Sequence, residues 1–287
     1  MNTTPVAREN VAALFCVASR FAEGIMDRYD LSLKMRRLAQ WVDSQRQPPS
    51  LIRKEFQGTP FGHCYLTMDV DRQTPFASTN INRVYLCGAE QGMSSAGVGR
   101  LIDLFATEVV KRFFVWLSPG PDMDQARGWL EAHGLSRIRR TGYPTLCRTG
   151  NAPVEYKTDL EVREVNADEI AQASDQLGET LWPEYTRSAG REKFFHYMAF
   201  DDKRPVAIAA LCIFEDLGYL MAAATAETDR KRGAQQALIA KRIERAEQMG
   251  CQVQVSETLY MIEHSYRNLQ RAGFVEAYEK EIYEWSA

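Results

Sequence analysis

The chain has 287 residues, 45% of them hydrophobic and 25% charged, and its formal net charge is −3. These proportions are typical of a folded globular protein and exclude a disordered or fibrous chain. Because domains usually contain about 100 to 200 residues, the length indicates two of them. So small a net charge gives no overall field for nucleic acid or an anionic membrane, and we expect neither as a partner.

The first thirty residues contain an apolar run, VAALFCVAS at residues 11–19, with the length of a signal-peptide core. Its flanks argue against secretion, since Glu9 precedes it and Arg20 follows without a clean cleavage pattern. Thr4 and Pro5 are instead typical of a helix start and predict a helix that continues to about Tyr29. No stretch approaches the roughly 20 apolar residues that cross a bilayer, so we expect a cytoplasmic protein.

The cysteines and histidines give no sign of a metal site. The six cysteines form no C-x-x-C pair, which favours free thiols in a reducing compartment; they are Cys16, Cys64, Cys87, Cys147, Cys212 and Cys251. The histidines show no ligand spacing with cysteines or carboxylates, so we expect no metal; they are His63, His133, His196 and His264.

Two polar segments interrupt the hydrophobic pattern. SQRQPPS at residues 44–50 marks a loop, and TGNAPVEYKT at residues 149–158 interrupts the apolar periodicity with Gly150, Asn151 and Pro153. We place the domain boundary in the second segment, which gives domains of residues 1–150 and 151–287.

The periodicity of the second half predicts an alternation of helices and strands. In chain order we expect helices at 167–178 and 182–191, strands at 194–200, 205–214 and 219–225, a helix from Gly233 to Gly250, a strand at 251–256, a short helix at 265–272 and an extended stretch at 274–285.

The two halves carry a faint internal repeat. RVYLCGAEQGMSSAGVGRLIDLF at residues 83–105 follows the same order as YLMAAATAETDRKRGAQQALIAK at residues 219–241: a strand, a polar loop, then Gly97 or Gly233 opening a helix. RFFVWLS matches CQVQVS as the next strand, and QARGWLEAHGL matches SYRNLQRAGF as a short helix closed by glycine. The repeat favours a tandem duplication over a chance likeness of similar units.

A cationic turn joins a strand to a helix in the second half. Arg230, Lys231 and Arg232 precede Gly233, Ala234 and Gln235. The N–H groups at a helix start have no intrahelical partners and carry the positive end of the dipole, so they suit a diphosphate. Cations at a helix start oppose that dipole, and an anion bound there would relieve the conflict.

Arg230 and Gly233 match a motif of the GNAT superfamily of acyl-CoA N-acyltransferases: Arg or Gln, two residues, Gly, one residue, then Gly or Ala. Gln235 departs from its last position. SYRNLQRAGF also resembles the later short helix and Gly-Phe turn of that superfamily, and the likeness covers about residues 160–285. The resemblance implies an α/β (α+β) protein of two GNAT-like domains, each a mixed, mostly antiparallel sheet flanked by helices.

The same resemblance implies an acyl-CoA cosubstrate, acetyl-CoA or another, bound without a metal. The pantetheine arm would lie along Met221 to Thr225 like an added strand. The oxyanion donor would come from the main chain near Ala223 and Ala224, and Asn268 would contact the arm.

Several side chains are candidates for proton transfer. Many members of the superfamily place a tyrosine where this chain has Leu269, so Ser265 and Tyr266 on the same short helix are alternatives for the leaving thiolate. Glu227 and Glu257 are alternatives for the base, although each is also typical of a solvated loop carboxylate.

The first half lacks the cationic turn. Gly97 and Gly99 keep both glycines of the motif, but Ser94 stands in the Arg or Gln position. The segment also satisfies neither the P-loop motif of nucleotide-binding proteins nor the glycine-rich motif of dinucleotide-binding proteins. We therefore expect a degenerate first domain that has lost CoA affinity and shapes the acceptor cleft.

Two further clusters in the first half are better explained by structure than by nucleic acid. Arg137, Arg139 and Arg140 are typical of a solvated strand edge. The aromatic residues of RFFVWLS are typical of a core; they are Phe113, Phe114 and Trp116.

The sequence thus predicts an N-acyltransferase that moves an acetyl or other acyl group onto a primary amine of a small molecule or peptide, as a monomer or a homodimer. The alternative is a non-catalytic acyl-CoA-binding regulatory module, which Leu269 and Gln235 favour. A third possibility is that the first half binds CoA through Gly97 and Gly99.

Overall fold

The computed structural model describes residues 27–45, 51–70, 82–138, 142–150, 152–181 and 183–287. The helix predicted from Thr4 to about Tyr29 lies outside the described residues except near its end. Cys16 also lies outside them. In chain order the elements are α1 (Arg28–Ser44), β1 (Leu51–Phe56), β2 (Cys64–Asp69), β3 (Arg83–Cys87), α2 (Ser95–Thr107), β4 (Arg112–Ser118), α3 (Met123–Ala132), β5 (Ser136–Arg137), β6 (Tyr143–Arg148), β7 (Glu161–Val165), α4 (Ala167–Leu177), α5 (Pro183–Arg187), β8 (Phe194–Asp201), β9 (Arg204–Phe214), β10 (Leu217–Thr225), α6 (Ala234–Gln248), β11 (Val253–Glu257), α7 (Glu263–Arg271) and β12 (Val275–Ser286).

The described residues form two compact units that do not follow a single cut in the chain. The N-terminal unit contains the described residues up to Pro144 together with Leu259–Met261 and Tyr278–Ala287. The C-terminal unit contains Thr145–Thr258 and Ile262–Ala277. The division at residue 150 remains a prediction about segments of the chain.

The N-terminal unit has the strand order β1-β2-β3-β4-β12, and β5 also pairs with β12. β3 and β4 run parallel, whereas the other pairs are antiparallel. The predicted core aromatics are confirmed as buried, with exposed fractions of 4% or less. Arg137 forms ion pairs with Glu279 and Glu281, and Arg139 and Arg140 lie outside the described residues.

The C-terminal unit has the strand order β6-β11-β10-β9-β8-β7. Only β10 and β11 run parallel, so each unit contains a mixed, mostly antiparallel sheet with helices packed on it, as predicted. The helices and strands predicted for this half are all present. The second predicted helix is shorter than expected, because α5 ends at Arg187.

Helix starts follow local capping chemistry. Asn166 and Glu169 form a reciprocal capping box at α4, with bonds of 3.0 and 2.9 Å. In α2 the Ser94 hydroxyl accepts from the Gly97 N–H, so this helix begins at Ser95 and not at the predicted Gly97. The correction arises because a serine cap outcompetes glycine as a helix start.

Five cysteines lie in the described residues, and all are buried free thiols. Within the same residues no helix has the length and apolar character needed to traverse a lipid bilayer. They also contain no grouping of three or more histidine, cysteine or acidic side chains arranged to hold a metal ion.

His196 makes the C-terminal unit sensitive to acid. Its side chain is buried in β8, with Nε2 2.9 Å from the Ser188 hydroxyl and 3.0 Å from the Tyr185 carbonyl oxygen. Burial lowers the pKa of His196 to about 4. The imidazole of His196 therefore binds a proton near pH 6.5 in the unfolded chain, but only near pH 4 in the folded protein.

Because the folded pKa is depressed, we expect the free energy of unfolding to fall as the pH falls. Between pH 7 and pH 5 the loss should be about 2 kcal/mol. Urea unfolding at both pH values measures it. His196→Gln should abolish most of this loss, whereas His264→Gln, at an exposed position of α7, should leave it intact. Equal pH dependence in wild type and His196→Gln would contradict the assignment.

Candidate functional site

A β-bulge in β10 separates this strand from its parallel neighbour. β10 pairs with β9 at Met221 and Ala210 and again at Ala224 and Ile208, so β10 advances three residues against two. Ala222, inside the bulge, has a φ of 49°. An extra residue bends its strand and increases the local twist.

The parallel pairing of β10 with β11 ends just before this bulge. The last pair joins Leu220 to Ser256, and the following residues of β10, Met221 to Thr225, pair only with β9. Their main-chain groups on the β11 side therefore have no strand partner. An opening of this kind accepts an extended ligand through main-chain hydrogen bonds.

The turn that follows β10 leads directly into α6. Lys231 and Gly233 both have positive φ values, 68° and 80°, and Gly233 is the N-cap of the helix. No side chain caps α6, and no acidic residue lies in its first turn. The N–H groups of that turn thus lack a side-chain acceptor, which is the condition for binding an anion.

Gly233 is required by packing as well as by conformation. A Cβ placed on it would lie 1.9 Å from the Lys157 carbonyl oxygen. The Thr158 hydroxyl donates to the Arg232 carbonyl oxygen at 2.7 Å. The segment before β7 therefore packs directly against one side of the turn and fixes it.

The protein itself neutralises one of the three cations. Arg232 forms ion pairs with Asp159 at 2.5 Å and Asp201 at 2.9 Å, and it lies 3.5 Å from Asp229. Arg204 donates to both oxygens of buried Asp229, and these bonds lower the pKa of Asp229 to about 2. Arg232 is therefore part of a structural network.

The other cations remain available. Lys157 and Lys231 are exposed and form no ion pair with a described residue, and Arg230 lies 3.6 Å from Glu227 with both side chains exposed. Lys157 and Lys231 line one open cleft together with Thr158, Asp159, Arg232, Gly233 and Gln236. Lys157 was not found from the sequence, because it lies about 75 residues before the turn.

Gln235, which departs from the sequence motif, connects the turn to the strand. Its side-chain amide donates to the Thr225 hydroxyl at 2.8 Å. Ala234 packs in the core beneath it, with 4% of its surface exposed. The substitution of Gly or Ala by Gln therefore gains a contact that fixes the end of β10 to the start of α6.

Glu257 ends β11 at the point where the strands separate. One of its carboxylate oxygens accepts from the Thr145 hydroxyl at 3.0 Å, and the other accepts from the Tyr219 hydroxyl at 3.2 Å. The carboxylate is half-buried and oriented by two donors. Neither donor was predicted, because they come from β6 and β10.

The remaining sequence candidates are less constrained. Glu227 is exposed in a short 3₁₀ turn, and Ser265 is half-buried in the first turn of α7. The Tyr266 hydroxyl donates to Glu276 at 2.8 Å, and burial with this bond raises the pKa of Tyr266 to about 12. Asn268 accepts from Arg271, both on α7.

The equivalent strands of the N-terminal unit do not separate. β3 and β4 pair along their whole length, up to Cys87 and Ser118. The Gly88 N–H then bonds to the Ser118 carbonyl at 3.1 Å, and a Cβ on Gly120 would lie 2.0 Å from the Cys87 carbonyl oxygen. No opening is left between these two strands.

The N-terminal unit also fills its own helix start and sheet face. Ser94 caps α2, and a Cβ on Gly97 would lie 2.1 Å from a carbonyl oxygen of residue 60. The ammonium of buried Lys280 lies 3.8 Å from the centre of the Trp116 ring and 4.7 Å from that of Tyr143. This face of the sheet holds a protein cation.

Comparison with solved structures identifies the architecture. A GCN5-related N-acetyltransferase from Kribbella flavida has a TM-score of 0.63 and 18% identity, covering 88% of this chain and 93% of that one. A tandem GNAT protein from the clavulanic acid biosynthesis pathway has a TM-score of 0.54 and 10% identity, covering 87% of both chains. This chain has a tandem GNAT fold.

A third GNAT structure, the GCN5-related N-acetyltransferase from Sphaerobacter thermophilus, has a TM-score of 0.55 and 12% identity, covering 78% of this chain and 80% of that one. Sequence comparison alone gives less: no protein-family model matches this chain, and no curated protein matches it. The GNAT likeness is carried by backbone geometry.

The turn at Gly233 can be tested by a matched pair of glycines. Gly233 and Gly250 have the same φ of 80°, but a Cβ on Gly250 meets nothing within 4 Å. Gly250→Ala should cost about 1 kcal/mol for the left-handed backbone alone. Gly233→Ala should cost several times more, because it also displaces Lys157. Thermal unfolding compares them, and equal shifts would contradict this packing.

Proposed function

We propose that this protein transfers an acyl group from acyl-CoA to a primary amine, with the chemistry in the C-terminal unit. The observation that carries the proposal is the bulged strand β10, which separates from β11 beside a helix start that no side chain caps. Two of the solved structures with the same fold, from Kribbella flavida and Sphaerobacter thermophilus, are named as N-acetyltransferases, which supports the reaction class.

The carrier would bind in two parts. Its diphosphate would contact the N–H groups at the start of α6, with Arg230, Lys231 and Lys157 supplying charge-assisted hydrogen bonds. Its pantetheine arm would lie along Met221 to Thr225 as an added strand. Main-chain N–H groups near Ala223 and Ala224 would then face the thioester oxygen.

Acyl transfer would proceed by direct attack. The lone pair of the amine forms a C–N bond with the thioester carbon, and the C–S bond breaks to release CoA thiolate. Glu257 is the base that accepts the amine proton, because two hydroxyls orient its carboxylate at the mouth of the opening. Glu227 is too exposed to be held in one place.

The leaving thiolate would take a proton from solvent, relayed through a hydroxyl of α7 that is reprotonated in the same step. Ser265 is the first candidate, since the Tyr266 hydroxyl already donates to Glu276. Leu269, in the position where many GNAT proteins have tyrosine, is 3% exposed and packs in the core. Because this position lacks a tyrosine, a non-catalytic acyl-CoA-binding module is the second candidate function.

The acceptor is an amine of a small molecule or a peptide. The N-terminal unit would not bind the carrier, because β3 and β4 remain paired where β10 and β11 separate.

Removing the two exposed cations of the turn, Arg230 and Lys231, tests where the carrier binds. Arg230→Gln with Lys231→Gln should weaken CoA binding about 100-fold or more, since charge-assisted hydrogen bonds contribute about 1.5–3 kcal/mol each. Isothermal titration calorimetry measures this affinity at low and high salt. Arg267→Gln, at an exposed cation of α7, is the control. Unchanged affinity would favour a site at Gly97 and Gly99.

Release of CoA thiol from acetyl-CoA tests the reaction. The wild type should release thiol with at least one member of a panel of small primary amines and peptides. Glu257→Gln should lower that rate about 100-fold or more, within the range for loss of a general base. Glu244→Gln, an exposed carboxylate on α6, should not. Binding of acetyl-CoA without thiol release across the panel would favour the non-catalytic module.

A further inference from the structure

A buried cation lies in the core of the C-terminal unit behind the bulge. Arg242, on α6, is 2% exposed and forms no ion pair with a described residue. Burying a charged group without a counter-charge is costly, and burial lowers the pKa of Arg242 to about 9. Such a residue needs a compensating set of hydrogen bonds.

Those hydrogen bonds all go to carbonyl oxygens. Nε of Arg242 donates to Leu238 of the same helix at 3.0 Å. Nη1 donates to Ala210 of β9 at 3.2 Å and to Met221 of β10 at 3.3 Å. A single guanidinium nitrogen therefore bridges two neighbouring strands.

The two bridged carbonyls have a special position in the sheet. Met221 and Ala210 are the last residues of β10 and β9 paired in regular register before the bulge. The next residue, Ala222, adopts the left-handed conformation. Arg242 thus holds both strands at the point where the ladder loses its register.

We propose that Arg242 is a positioning residue that fixes the bulge, and through it the main-chain groups of residues 222–225 that would face the acyl thioester. This inference rests on the proposed function. The guanidinium contacts no reacting atom, and it acts only through the carbonyls of Ala210 and Met221. Its fork shape allows one nitrogen to bond to the strands while another bonds to the helix.

The distinctive consequence is that stability and catalysis should respond in opposite ways. Removing a buried cation that has no counter-charge relieves its desolvation cost, which offsets the loss of its hydrogen bonds to the three carbonyl oxygens. Arg242→Met should therefore keep or raise the thermal midpoint. The same change frees the bulge, so kcat should fall about 10- to 100-fold, as expected for a misplaced reacting group. The affinity for CoA should fall less than kcat, because only the pantetheine part of the site is loosened and the diphosphate part at the start of α6 is unchanged.

The test compares Arg242→Met and Arg242→Lys with Lys241→Met, at the adjacent, partly exposed residue of α6. Thermal unfolding, CoA titration and thiol release are measured for each. Arg242→Lys keeps the charge and loses the forked guanidinium, so it should also lower kcat. This variant provides the test if Arg242→Met does not fold. A Tm, an affinity and a kcat that fall together would overturn the proposal, as would kcat within twofold of wild type.

Hydrogen–deuterium exchange of the free protein separates this inference from the proposed function. Exchange of the amides at residues 222–225 should increase in Arg242→Met and stay unchanged in Lys241→Met. Unchanged exchange in both variants would overturn the role of Arg242, whether or not the protein is an enzyme. If exchange increases in Arg242→Met but the wild-type protein neither binds acetyl-CoA nor releases thiol, Arg242 fixes the bulge and its catalytic purpose is refuted.

Discussion

The extra residue that β10 carries at the bulge opposite β9 is the constraint on which the candidate site depends. Regular antiparallel pairing with β9, without the extra residue, would keep β10 straight, and β11 would stay paired along it. With the extra residue at Ala222, β10 bends after Met221, and the parallel pairing stops at Leu220. The result is a row of main-chain groups that a ligand can use without displacing a strand.

The two units show what this constraint does, because the same pattern has two outcomes in one chain. β3 and β4 form the parallel pair that corresponds to β10 and β11, but their pairing runs from Arg83 to Cys87 without interruption. Gly120 then allows the following loop to pack against the end of β3. A paired edge and a serine-capped helix satisfy their own polar groups, so that unit offers little to a ligand.

Sequence periodicity located the elements of the C-terminal unit from α4 onwards because each carries its own signal, but it did not find β6 or β7. Gly233 fixes the start of α6, and alternating apolar residues mark the strands. The bulge has no such signal: MAAAT is compatible with an ordinary strand, and its left-handed residue is an alanine where glycine is the usual choice.

Long-range partners were equally hidden. Arg232 precedes a helix and was expected to await an anion, yet Asp159 and Asp201 come from distant segments to pair with it. A period-2 pattern predicts a strand without naming its neighbour, so the pairing of β6 with β11 and of β12 with β4 could not be foreseen. Arg242 did leave a trace, since it falls four residues after Leu238 on the apolar stripe of α6.

The site therefore divides its work between two kinds of interaction. Arg230, Lys231 and Lys157 are exposed, and salt screens exposed charges that are more than about 10 Å apart. In the proposed function these cations would attract and retain a diphosphate without fixing it to a fraction of an ångström. The bulge is held from the core side by Arg242. This cation is excluded from solvent and donates hydrogen bonds to three carbonyl oxygens. Placement to that accuracy must come from the buried interaction, because only the dry, packed side of the sheet has a single arrangement. In the proposed function, the surface turn determines whether the carrier binds, and the core beneath β10 determines whether its thioester lies where an amine can attack it.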